Sequence, residues 1–186
     1  MEQQTSDVQL PKMWIWVIAH VIACDLVSLG GWVYGGELWV ATAILVTPLA
    51  ISVVQMTLLR GFLRRPYLWI VASVFGQILS FSVCIFGLVI GLGMGLLQTF
   101  LLLLSGFRQP LWWIPATGFG WMIAVQMMVI CHAMLKPFFP ESDFGYPSHP
   151  AAILVVNSVA GFVFGGITHL VLPLCEPPSK PSHSLP

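Results

Sequence analysis

The sequence predicts an all-α integral membrane protein with six transmembrane helices, arranged as three helical hairpins. Its residues are 58% apolar and 8% charged, with a mean hydropathy of +0.91, whereas a soluble domain carries about 25% charged residues. The other two observations are a series of long apolar runs and a phrase, Pro-x-x-Trp-Ile, that occurs three times. We therefore expect lipid to be the solvent, and a formal charge of zero indicates no nucleic-acid partner.

Apolar runs of the length that a bilayer requires, about 20 residues, set the predicted helices. The uncharged run over residues 67–105 is too long for one helix, so we divide it near Cys84. The predicted spans are residues 13–34, 38–59, 67–84, 87–105, 111–135 and 151–172. They form one transmembrane domain over residues 13–172, between a cytoplasmic segment, 1–12, and a disordered cytoplasmic tail, 173–186.

The basic residues predict the orientation, because the cytoplasmic side of a membrane protein takes the excess of Lys and Arg. Six spans place both termini on one side. That side holds Lys12, Arg60, Arg64, Arg65, Arg108 and Lys180, whereas the other side holds Lys136. Both termini are therefore expected in the cytoplasm, with residues 136–150 as the long outer loop.

The repeated phrase opens the first, third and fifth spans. Its copies begin at Pro11, Pro66 and Pro110. Proline is tolerated in the first turn of a helix, and tryptophan is stable at headgroup depth. The phrase therefore predicts a helix start followed by interfacial anchors, namely Trp14, Trp69 and Trp113. Because further identities follow it, we expect three parallel repeats, made of spans 1–2, 3–4 and 5–6.

Small residues at four-residue spacing predict where the spans pack, because close van der Waals contact drives helix association in lipid. We assign this role to Ala72, Gly76, Ser80, Gly87, Gly91, Gly95, Ala116, Gly120, Ala124, Gly161 and Gly165.

Asp25 is the sharpest polar feature, since it lies about 18 Å along the first span, near the bilayer centre. A carboxylate there costs about 2.5–3.5 kcal/mol on insertion. Aligning the three prolines places Asp25 opposite Ser80 and Ala124, on the seam that packs inward. Two interpretations stay open: a proton- or cation-coupled site, or a residue that hydrogen-bonds a neighbouring helix.

Further polar side chains fall within the predicted spans. They are His20, Gln55, Gln98, Thr168 and His169. Buried glutamines usually tie helices together, although this set could also line a vestibule. Haem or chlorophyll could be held through His20, His132 or His169, but satisfied histidines explain the pattern more simply, and we predict no cofactor and no metal site.

The pattern G-x-x-x-G…Q…L-L in Gly91–Leu102, with R-x-P-x-x-W in Arg64–Trp69, resembles small polytopic membrane proteins of cyanobacteria and other bacteria. The resemblance covers spans 2 to 6 and carries over no activity. It implies a bacterial inner (plasma) membrane, or a thylakoid membrane in a cyanobacterium. The three-hairpin plan is also similar to that of mitochondrial carriers, but their acidic–basic signature is missing here.

Two functions stay open, and an enzyme is the least supported class because the sequence contains no nucleotide loop or nucleophile triad. The first is an accessory or assembly subunit of a larger membrane complex, bound to a protein partner or to further copies of itself. The second is a small proton- or cation-coupled transporter or channel, with Asp25 as the coupling group.

Overall fold

A computed structural model describes residues 10–34, 38–83, 87–139 and 149–178, and the side-chain surroundings of residues 10–30, 46–78, 91–139 and 149–178 among them. This part of the chain is helical, which confirms the all-α class. The helices are α1 (Met13–Tyr34), α2 (Leu38–Leu59), α3 (Tyr67–Val83), α4 (Gly87–Leu104), α5 (Trp113–Leu135) and α6 (Pro150–Val171). Short 3₁₀ turns, Pro110–Trp112 and Leu172–Cys175, precede α5 and follow α6. All helix limits lie within two residues of the ranges that the apolar runs predict.

The outer surface of the helices is apolar. Large hydrophobic side chains on several helices are exposed, among them Phe75, Phe100, Phe119 and Phe162. Three described stretches are long and apolar enough to cross a membrane, Met13–Gly30, Pro110–Leu135 and Pro150–Cys175, and the other helices give shorter apolar stretches. A surface of this kind is stable against lipid rather than water, so the chain is a membrane protein.

The six helices form a closed ring. Each helix contacts the next one along the chain, and α6 also packs along α1. The first turns of α1, α3 and α5 meet at one end of the bundle, where three indole rings cluster. The last turns of α2 and α6 reach the same end, because Leu59 and Leu172 lie in the same buried cluster as those rings.

Glycines let α6 approach α1, and α4 approach α5, at backbone distance. A Cβ atom on Gly161 would lie 2.8 Å from the Cα of Val21, and one on Gly91 would lie 2.3 Å from the Thr117 carbonyl oxygen. Contacts this short leave no room for a side chain, so the two helix pairs depend on glycine there.

Other small residues lie at further seams. Gly76 packs on the α4 backbone at Met94, Gly120 on the Phe164 ring, and Gly165 on His20. Gly95 contacts Thr117, Ala116 and Ala124 are buried, and Ala72 is partly buried. Ser80 and Gly87 lie outside the residues whose surroundings are described, as do residues 1–9 and 140–148 and the tail from residue 179 onward.

Candidate functional site

Three tryptophans fill the centre of the bundle near the end where α1, α3 and α5 begin. Trp16, Trp69 and Trp113 are each fully buried. The Trp113 ring centroid lies 6.4 Å from that of Trp16 and 5.9 Å from that of Trp69. Aromatic rings at such separations attract each other beyond the effect of burial alone. The rings therefore occupy the position where a central aqueous path would have to pass.

Each of these tryptophans donates its indole N–H to a polar side chain on a neighbouring even-numbered helix. Trp69 Nε1 lies 3.1 Å from Gln55 Oε1 on α2, and Trp113 Nε1 lies 2.6 Å from Gln98 Oε1 on α4. The third bond runs from Trp16 Nε1 to Thr168 Oγ1 on α6, at 3.1 Å. The three bonds therefore tie α3 to α2, α5 to α4 and α1 to α6.

The two glutamines join these bonds into one network. Gln98 Nε2 donates to Gln55 Oε1 at 3.2 Å and to Ser73 Oγ at 2.7 Å. Gln55 Nε2 lies 3.2 Å from His20 Nε2. His20 Nδ1 donates to the Trp16 carbonyl at 2.8 Å, so its Nε2 carries the lone pair that accepts from Gln55. Every donor then faces an acceptor, and the groups on the bundle axis are neutral.

The residue four positions after each central tryptophan caps that tryptophan's carbonyl. His20 does so for Trp16, while Ser73 Oγ donates to the Trp69 carbonyl at 2.7 Å and Thr117 Oγ1 to the Trp113 carbonyl at 2.9 Å. Hydroxyl groups commonly form such bonds to the preceding turn. All three residues are buried, so these bonds satisfy groups that water does not reach.

The structure corrects the interpretation of the repeated phrase. Trp69 and Trp113 are core residues that bond glutamines, so they are not interfacial anchors, whereas Trp14 is 61% exposed. The residue of α1 that shares their surroundings is Trp16, two positions beyond Trp14. Alignment through the prolines missed Trp16, and it also passed over Ser73 and Thr117.

The sequence does contain the signal for Trp16. An alanine and a polar residue follow each buried tryptophan at the third and fourth positions, as Ala19-His20, Ala72-Ser73 and Ala116-Thr117. The phrase and this second pattern coincide for Trp69 and Trp113 but differ by two residues in α1. Proline fixes only where a helix begins, whereas the alanine and the polar residue report which face points inward.

The corrected register changes the position of Asp25. Counting from the tryptophans, Asp25 matches Ile78 and Met122 rather than Ser80 and Ala124. Ile78 is exposed and Met122 partly buried, whereas Ala124 is buried. The predicted equivalence of Asp25 with Ala124 is therefore wrong, because the α1 helix is rotated relative to the alignment through the prolines, and Asp25 is partly buried where Ala124 is buried.

Asp25 lies in the seam between α1 and α6. It is partly buried, and Ser158 Oγ donates to its Oδ2 at 2.8 Å. The other carboxylate oxygen, Oδ1, is shielded from solvent and has no hydrogen-bond partner among the residues that the structure describes. Ile22 and Leu26, on the same side of α1, are 51% and 64% exposed. The carboxylate thus borders the outer surface of the bundle, away from the three tryptophans.

Two of the candidate histidines take part in hydrogen bonds between helices. Both ring nitrogens of His20 take part in the central network. His169 Nε2 donates to the Pro11 carbonyl at 2.9 Å, which ties the start of α1 to the last turn of α6. The described residues contain no group of three or more His, Cys, Asp or Glu side chains placed to hold a metal ion. The bonds of His20 and His169 therefore join helices.

Comparison of the chain with known protein families, with curated proteins and with solved structures gives no match. The function is therefore inferred from two features of the structure, the hydrogen-bond network around the three tryptophans and the Asp25–Ser158 pair.

Proposed function

We propose that the protein is an accessory or assembly subunit of a larger membrane complex, which it joins through the outer face of α1 and α6. The observation that carries this proposal is the division of its polar groups. The polar side chains around Trp16, Trp69 and Trp113 bond one another, whereas the Asp25 carboxylate in the α1–α6 seam keeps one buried oxygen without a partner among the described residues, as does the buried Trp121 Nε1. A rigid interior together with a polar group on an apolar face suits docking better than conduction.

The face around Asp25 has the character of a helix-binding surface. Ile18, Ile22 and Leu26 on α1 are exposed, as are Val155 and Phe162 on α6. A carboxylate near the bilayer centre is costly unless it is paired. Oδ1 is shielded from solvent within the chain, so a partner helix that places a hydroxyl, amide or basic group at this depth would bond it once the carboxylate turns toward that helix.

The proposal includes the six-span, three-hairpin arrangement with both termini in the cytoplasm. Its support is a set of contacts that the three odd-numbered helices share. Each of them carries a buried tryptophan whose indole N–H bonds an even-numbered helix. In each, the residue four positions later bonds the carbonyl of that tryptophan. The asymmetry of the basic residues supports the orientation.

The second candidate is the small transporter or channel with Asp25 as its coupling group. The unpaired Oδ1 favours it, because a carboxylate oxygen shielded from solvent could take up a proton or a cation. The three tryptophans on the axis oppose a central path, so such a route would have to follow the α1–α6 seam.

A photoreactive amino acid in place of Ile22 or Phe162 tests the accessory role in native membranes. We expect each position to cross-link one defined protein, and the mass of the adduct distinguishes a different protein from a second copy of this chain. The same substitution at Phe100 on α4 or Ile130 on α5, which are equally exposed to lipid, serves as the control and should give no such adduct.

Substitutions of Asp25 separate the two candidates. Asp25→Leu should weaken the cross-link from Phe162, whereas Asp25→Asn keeps a hydrogen-bonding group and should retain it. Equal cross-linking at the control positions would contradict the proposed face. Proton or cation flux in proteoliposomes that Asp25→Asn abolishes would establish the transporter instead.

A further inference from the structure

A groove opens where α3 begins and α4 ends. These two helices lie across the ring from α1 and α6. The groove encloses about 230 Å³ and runs between the turn after α2 and the last turn of α4. Four leucines form its walls, Leu63, Leu68, Leu101 and Leu104, and Arg64, Arg65 and Ser105 complete its lining. The groove is therefore mainly apolar, with two arginines in its lining.

The arginines are held beside the groove by the backbone. The Arg64 N–H donates to Ser105 Oγ at 3.1 Å, and Ser105 Oγ donates in turn to the Leu101 carbonyl at 2.8 Å. This bridge fixes the arginine-bearing turn to the end of α4. Both arginine side chains are exposed.

The charge at this end of the bundle is positive in the described residues. Their two acidic side chains are Asp25, which bonds Ser158 in α6, and Glu176, which accepts from Gln109 Nε2 at 2.6 Å. Neither carboxylate neutralises the two arginines of the groove. Since helix ends mark the depth at which a bundle meets the headgroups, exposed arginines in the turn between α2 and α3 are suited to contact lipid phosphates.

We propose that this groove binds one anionic phospholipid, with the phosphate on Arg64 and Arg65 and an acyl chain along the four leucines. Planar guanidinium groups bind phosphate oxygens in pairs, and only a lipid also supplies a chain that matches the apolar walls. A soluble phosphate would leave those walls uncovered. The proposal does not depend on the accessory role.

The next junction along the chain provides an internal comparison. There the Arg108 N–H donates to the Glu176 carbonyl at 3.1 Å and the Gln109 N–H to the Cys175 carbonyl at 3.2 Å. The segment after α6 therefore packs against the turn that carries Arg108. At the Arg64 junction the corresponding contact is the single hydroxyl of Ser105, so the space beside it stays open for a lipid.

Native mass spectrometry of the full-length protein tests this proposal, with phosphatidylglycerol and phosphatidylcholine of identical acyl chains added in equal amounts. The wild type should retain one phosphatidylglycerol in preference. A basic residue near a membrane surface strengthens attraction to anionic lipid about fivefold, so the R64Q/R65Q variant should bind it about thirtyfold more weakly.

Two variants complete the test. K12Q/R108Q removes the same charge from exposed positions outside the groove and should keep the preference. Leu104→Trp fills the groove while both arginines stay, and should reduce retention of phosphatidylglycerol. An equal loss in K12Q/R108Q, no loss in R64Q/R65Q, or displacement of the lipid by equimolar glycerol phosphate would each overturn the proposal.

Discussion

Gln98 and Gln55 each make three interhelical bonds, and Gln98 shows how an amide works inside a membrane bundle. Its oxygen accepts from Trp113 and its nitrogen donates to both Gln55 and Ser73. An amide can do this because it combines acceptor and donor groups without a charge. The cost of burial is therefore offset within the network, and α4 is held to α2, α3 and α5.

Replacing Gln98 by Leu should destabilise the protein while leaving its helix content unchanged. The substitution removes three hydrogen bonds and leaves the Trp113 N–H buried without an acceptor. Such bonds contribute about 0.6 kcal/mol each on average in membrane proteins, so we expect a loss of about 2 kcal/mol. Thermal unfolding in mild detergent, followed by circular dichroism and tryptophan fluorescence, measures it.

Thr57→Val is the matched control for Gln98→Leu. Thr57 is exposed, and its hydroxyl bonds the Val53 carbonyl of its own helix at 2.7 Å. Its loss should change stability by less than 0.5 kcal/mol, as is usual for surface substitutions. If both variants unfold at the same temperature, the amide network does not stabilise the bundle.

The helices themselves pack through glycine, and the seams differ in how much room they leave. Gly91 meets the α5 backbone, whereas Gly166 on α6 has open space around the position of a Cβ atom. Gly91→Ala should therefore force α4 away from α5 and destabilise the protein by about 1–3 kcal/mol. Gly166→Ala should be neutral or stabilising by up to about 1 kcal/mol, because alanine favours the helix.

Unfolding midpoints of these two variants in the same detergent check the prediction. A decrease for Gly166→Ala as large as that for Gly91→Ala would mean that glycine serves helix flexibility in general rather than contact at a particular seam.

The sequence predicts the helices closely because apolar length alone determines them in a membrane protein. It also identifies the close-packing glycines, since small residues at four-residue spacing have few other uses there. Rotation of a helix is harder to predict, because lipid-facing and buried faces are both apolar. Alignment through the prolines therefore places α1 two residues out of register, and it does not identify Trp16 or the position of Asp25 in the α1–α6 seam. Pairings such as that of Gln98 with Ser73 depend on how two helices are placed in space, and a single sequence carries no signal for them.

Successive helices of the bundle run in opposite directions, which predicts that the connections between them alternate between the two sides of the membrane. Cysteines placed at Ser142 and Ser182, in a variant whose four native cysteines are replaced by alanine, should react with a membrane-impermeant maleimide from opposite sides. Position 142 should label from the outside of intact cells, and position 182 only after the membrane is opened. Labelling of both from one side would contradict six spans.

The closed ring also separates the interior from the two surfaces proposed to bind a partner helix and a lipid. Three indole rings and the hydrogen bonds that join them to Gln55, Gln98 and Thr168 tie the helices together in the interior, while the α1–α6 face and the groove at Arg64 are the surfaces that differ from their surroundings. A partner helix and an anionic lipid would bind on separate sides of the bundle. The two proposals can therefore fail independently.

Hydrogen exchange of the indole N–H groups tests most directly whether the interior is closed. In ¹⁵N-labelled protein moved into D₂O, the signals of Trp16, Trp69 and Trp113, assigned by single Trp→Phe substitutions, should persist long after those of the exposed Trp14 and Trp112 have vanished. Protection follows from burial and from their bonds to Thr168, Gln55 and Gln98. Exchange of the three as fast as that of Trp14 would show that water reaches the axis, and it would contradict the closed interior in favour of a conducting path.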